Sequence, residues 1–102
     1  MDTKVKLEVY VARPPTKKCR QVLAVMEEVV RRYPEQVRLV VFERGAPWRE
    51  EPSPAVRVHF FKGCLVPVYA VGGQVVAAGQ VPTLEDVEAR LLPVLEKHST
   101  GE

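Results

Sequence analysis

Between Val5 and Phe42 the chain changes its hydrophobic period twice, and this succession restricts the fold more than any other feature. Val5, Leu7, Val9 and Val11 alternate with Lys6, Glu8 and Tyr10. That is the period of a strand with one face more buried than the other. Arg13-Pro14-Pro15-Thr16 breaks the pattern. Cys19, Val22, Leu23, Met26, Val29, Val30 and Tyr33 then recur at helical spacing, which predicts one helix from about Thr16 to Tyr33 with a single apolar stripe. Pro34 ends it, because a proline pushes the residue before it out of helical geometry. Val37, Leu39, Val40, Val41 and Phe42 follow as a strand with little alternation. Such a strand is typically central or parallel and covered by helices. Strand, helix and strand in this order predict a parallel pair joined by a right-handed crossover.

Arg44 to Pro52 reads as a charged loop punctuated by Gly and Pro. The next segment fits two states. Val56-Arg57-Val58-His59-Phe60 alternates like a strand, whereas Ser53 suits an N-cap, Pro54 a first helical turn and Gly63 a C-terminal stop. The end signals favour a short helix over about 54 to 62. Val68–Val71 and Gln74–Ala78 flank Gly72-Gly73, a hairpin signature because such turns need positive φ. Thr83-Leu84-Glu85-Asp86 opens a last helix with a capping hydroxyl and acids in its first turn. Its stripe is Leu84, Val87, Leu91, Leu92 or Val94, and Leu95; Pro93 within it predicts a kink or a frayed end. The expected fold is one α/β domain over residues 1–102, in the order βαβ-α-ββα. A four-stranded mixed sheet carries helices on both faces.

Composition narrows the function classes. A chain of 102 residues fits one domain and one core. Two cysteines cannot staple a disulfide scaffold. Fifteen basic residues against thirteen acidic ones leave +2, too little to argue for nucleic acid. No run reaches the ~20 apolar residues of a membrane span. Met1-Asp2-Thr3-Lys4 leads straight into the first strand, so no secretory signal is read and a reducing cytoplasm is the expected location. Asparagine and isoleucine are missing. Loss of a thermolabile amide fits a heat-adapted source, and GC-rich codon bias fits it equally.

The element order resembles the thioredoxin-like superfamily over nearly the whole chain. Three local features carry the likeness. The first strand leads through a Pro-containing turn to a helix with a cysteine in its first turn, Pro15-Thr16-Lys17-Lys18-Cys19. Val66-Pro67 stands just before the hairpin, where the superfamily carries a cis-proline. The Gly72-Gly73 hairpin and Val81-Pro82-Thr83-Leu84-Glu85 look like the closing half of small thioredoxin and glutaredoxin relatives. The resemblance implies a cis Val66–Pro67 bond, with Pro67 shaping a substrate groove.

The redox motif departs from the pattern. The superfamily's Cys-x-x-Cys uses the first cysteine as nucleophile and the second to resolve the mixed disulfide. Here Thr16-x-x-Cys19 puts a hydroxyl in the first position, so a poor general disulfide reductase is expected. Peroxiredoxins carry Thr-x-x-Cys, but with a proline four residues earlier, where this chain has Ala12.

Cys19 has two readings. At a helix start among Arg13, Lys17, Lys18 and Arg20 it is placed to form a thiolate; as the first member of the apolar stripe it is a small buried hydrophobe. Thr16 is an N-cap or a hydrogen-bond donor to that thiol. Cys64, before Val66-Pro67, is a resolving thiol or an unpaired one, and a resting Cys19–Cys64 disulfide is not expected. His59 and His98 have no metal-ligand spacing with either cysteine, and no motif asks for a cofactor. Trp48, in the charged loop, either packs against the domain or marks a partner site. The resemblance implies a small thioredoxin-like protein with a thiol or redox role through Cys19, its partner a protein thiol or a peptide. The alternative is a redox-inactive binding module on the same fold.

Overall fold

A computed structural model describes residues 4–62 and 66–100. The elements are β1 (Val5–Val11), α1 (Lys17–Arg32), β2 (Val37–Glu43), α2 (Pro54–Lys62), β3 (Val68–Val71), β4 (Gln74–Ala78) and α3 (Leu84–Thr100). They form one sheet in the order β2-β1-β3-β4. β1 pairs parallel with β2, from Val5↔Val37 to Val11↔Glu43. β1 pairs antiparallel with β3, and β3 with β4, where the register shifts between Tyr69 and Ala70. This arrangement is consistent with a thioredoxin-like α/β fold.

The periodicities of the sequence explain which face each helix covers. Val5, Leu7, Val9 and Val11 point to one side, where they meet Cys19, Val22, Met26 and Val29 of α1 and Val87 and Leu91 of α3. Full burial of each such aliphatic side chain is worth about 1.5–3 kcal/mol, so this layer holds most of the domain. On the other side Tyr10, Phe42, Val68 and Ala70 pack with Val56 of α2. Helices therefore cover both faces.

Local chemistry sets the ends of the elements. Thr16 caps α1 in extended geometry. Thr83 and Asp86 close a reciprocal box on α3: the Asp86 N–H donates to Thr83 Oγ1 and the Thr83 N–H to Asp86 Oδ2, both at 3.1 Å. Gly72 and Gly73 turn the hairpin at φ 60° and 85°, where side-chain-bearing residues are disfavoured.

As expected, one face of β1 is the more buried, with Lys6 half-buried opposite Val5, Leu7, Val9 and Val11, but the second face is largely covered too: Glu8 is 0% exposed and Tyr10 8%, because β1 is central and α2 lies over it. Two expectations need correction. β2 is parallel as expected but lies at the edge, which leaves Val41 42% exposed. In α3 Val94, not Leu92, belongs to the packed stripe, and the helix continues through Pro93 to Thr100.

Candidate functional site

The turn after β1 delivers Thr16 and Cys19 to the start of α1. The Thr16 side chain is positioned by its own capping role, and it is bonded to Cys19 in both directions. Its Oγ1 accepts from the Cys19 N–H at 3.2 Å, and its hydroxyl donates to Cys19 Sγ at 3.1 Å. Thr16 is exposed, whereas Cys19 is 0% exposed and belongs to the main core cluster. Burial pushes the thiol's pKa up, but the Thr16 hydroxyl and backbone groups of Ala12, Thr16 and Cys19 outweigh it, and the net direction is down. The cations expected to favour the thiolate contribute little: Arg13, Lys17, Lys18 and Arg20 are exposed, where water screens them. Arg20 instead donates to the Pro15 carbonyl at 3.0 Å.

Val66–Pro67 is cis, in line with the expectation; Arg13–Pro14 is also cis, which the sequence reading does not foresee. Pro67 is buried, and its carbonyl accepts from the Gly79 N–H at 2.7 Å. The pairing of Tyr10 with Val68 sets Pro67 beside the Val11 end of β1, the end from which the chain leaves for α1. Thr16, Cys19 and Pro67 thus share one end of the sheet. Cys64 lies outside the described residues, and with it the expectation about a Cys19–Cys64 disulfide. The side chains of His59 and His98 lie outside them too. Among the described residues no group of three or more His, Cys, Asp or Glu side chains could hold a metal ion. Among them, too, no helix is long and apolar enough to cross a membrane.

A second polar centre lies on the α2 face of the sheet. The fully buried Glu8 carboxylate accepts from the Ser53 N–H at 2.8 Å and the Ser53 hydroxyl at 2.6 Å. Ser53 is the residue read as an N-cap; its hydroxyl serves Glu8 instead. Lys6 Nζ lies 3.7 Å from Glu8 and donates to Glu50 Oε2 at 3.3 Å. Arg38 grips the same Glu50 carboxylate with two bonds of 2.7 Å. Arg38, with Lys6 helping and burial opposing, lowers the Glu50 pKa to about 2. The sequence carries one signal for this centre, a carboxylate in mid-strand at a position that the topology makes central. It does not name Ser53 as the partner.

Beside this centre an open groove of about 460 Å³ is lined by Glu51, Pro52, Pro54, Arg57 and Val58. Trp48 is 41% exposed, and the guanidinium of the lining residue Arg57 lies 5.7 Å from its ring centroid. The groove and Cys19 are on opposite faces of the sheet. Comparison with protein-family models and with curated proteins returns no match for this chain.

Proposed function

We propose that the chain is a thioredoxin-like module that does not carry out dithiol exchange through residues 16–19, and that it binds a peptide or protein partner at the end of the sheet beside Pro67. One observation carries the reading. The exposed position of the motif holds the Thr16 hydroxyl, while its sulfur, on Cys19, is fully buried. Disulfide exchange begins with attack by an accessible thiolate, and a hydroxyl cannot replace it. Pro67 and the turn before α1 would then shape a binding surface without chemistry. A reducing, cytoplasmic setting suits a buried, unpaired Cys19.

Insulin reduction with dithiothreitol tests this. The expected result is no turnover above dithiothreitol alone, and a gain on Thr16→Cys, which restores the missing nucleophile. Wild-type turnover comparable to that of a Cys-x-x-Cys thioredoxin would overturn the reading.

A second reading, a thiol role for Cys19 itself, is favoured by the 3.1 Å bond from Thr16 and the lowered pKa. It requires that reagents reach the sulfur. Alkylation of native protein by iodoacetamide at neutral pH, at a rate approaching that of the unfolded chain, would select it over the first.

A further inference from the structure

The segment from Arg44 to Pro52 crosses the α2 face of the sheet with little apolar burial of its own. Pro52 is its one buried residue, Ala46 and Glu50 are half-buried, and the others are exposed. It is pinned at both ends. The Arg44 N–H donates to the Val11 carbonyl at 2.9 Å, and just beyond Pro52 the buried Glu8 holds Ser53 by two hydrogen bonds. Between the pins, two cations of the sheet hold it down. Arg38 on β2 binds both oxygens of Glu50, and Lys6 on β1 donates to Glu50 Oε2 and to the Glu51 carbonyl, each at 3.3 Å. The pins are backbone or buried; the middle fastening is partly exposed, with side-chain exposures of 20% for Lys6, 35% for Arg38 and 37% for Glu50.

From this geometry we propose that residues 44–52 form a strap, latched by Lys6 and Arg38 on Glu50, that opens as a unit while the sheet and α1 stay folded. The rest of the domain is held by apolar clusters that span several elements, and this segment mainly by partly exposed polar contacts: Lys6 and Arg38 on Glu50, and Arg57 of α2, which donates to Glu51 Oε1 at 2.8 Å and lies 5.7 Å from the Trp48 ring centroid. Local opening below the cost of global unfolding follows from that contrast. Because the latch is partly exposed, added salt weakens it, while the buried Glu8–Ser53 pin resists screening. Opening also has a structural consequence. Glu51 and Pro52 lie on the strap, whereas Pro54, Arg57 and Val58 lie on α2, so the groove between them exists only in the closed state. The latch thereby controls whether that surface is presented.

Trp48 is the only tryptophan of the chain and lies on the strap, so its fluorescence reports this segment. Trypsin sites at Arg44 and Arg49 report it independently. The experiment compares wild type, Glu50→Gln and, as a control on α1, Glu28→Gln. Native-state cleavage after Arg49, expressed relative to cleavage of the same bond in a peptide of residues 44–52 carrying the same substitution because Glu50 follows the scissile bond, acrylamide quenching of Trp48 and far-UV circular dichroism are each followed against urea. Glu50→Gln removes charge-assisted bonds and should speed cleavage after Arg49 about tenfold at low salt. Quenching should rise with it, while the global urea midpoint moves little. Wild type should approach the variant as salt is added, and Glu28→Gln should behave as wild type. The proposal fails if cleavage and quenching follow global unfolding in every variant, with the same urea dependence as the dichroism. It fails equally if neither salt nor Glu50→Gln changes them.

Discussion

Thr16→Val removes one hydroxyl at nearly constant volume, and two hydrogen bonds go with it. The first is the N-cap bond, in which Thr16 Oγ1 accepts from the Cys19 N–H at 3.2 Å. Loss of such a cap costs about 1 kcal/mol, which in a domain of this size lowers Tm by about 4–8 °C. The second is the bond from the hydroxyl to Cys19 Sγ at 3.1 Å. Burial raises the thiol's pKa, and the hydroxyl and neighbouring backbone groups bring it down. Without the hydroxyl the thiol must titrate at higher pH. The effect on stability has a definite sign. An acid whose folded pKa lies below its unfolded one adds stability that is fully present above the unfolded pKa and is lost as pH falls through the folded one. Valine removes part of that contribution, so the gap between wild type and variant should widen from about pH 6 to about pH 10, across the thiol range. At the lower pH the cap alone remains. Thermal melts at both pH values, with thiolate absorbance to follow Cys19, measure the two parts separately. Thr16→Ser, which keeps the hydroxyl, should retain most of both. If Thr16→Val melts like wild type at both pH values and its thiol titrates unchanged, the hydroxyl has no role in either the helix or the site.

Two further predictions concern the α2 face and the hairpin. Glu50 has a pKa lowered from 4.5 to about 2, so its contribution is present above the ordinary carboxylate range and is lost as pH falls toward about 2. Arg38→Gln should flatten this acid limb of a Tm-against-pH profile, modestly because the pair is more than a third exposed; an unchanged limb would refute the assignment. Gly72→Ala forces a side chain into φ +60° and sets its Cβ 3.0 Å from Val94 Cγ1. A loss of more than the ~1–2 kcal/mol of the backbone conformation alone is expected in urea titration, with Gly45→Ala, which meets open space at φ +81°, as the comparison.

What could be read from the residues was whatever neighbours in the chain decide. The stripe from Cys19 to Val29 specifies a helix because side chains at that spacing share a face, and Thr16 and Thr83 start their helices with hydroxyls that serve nearby N–H groups. Gly72-Gly73 specifies a hairpin because of what the backbone must do there. The likeness of Val66-Pro67 to a cis-proline site also reached the described bond. The sequence alone therefore determined the order of elements and most of their ends, the far end of α3 beyond Pro93 excepted, and it named Thr16 as a cap or a partner of Cys19. Tertiary structure decided strand order, and strand order changed what several residues mean. Glu8 alternates as an outward residue, yet it is fully buried because β1 is central and α2 closes over it. Val41 continues an apolar run, yet it is exposed because β2 is an edge. The grip of Lys6 and Arg38 on Glu50, and of Glu8 on Ser53, joins residues far apart in the chain. Period and capping are set within a few residues of each position. Whether a polar group is buried, and by what it is satisfied, depends on which distant element covers it.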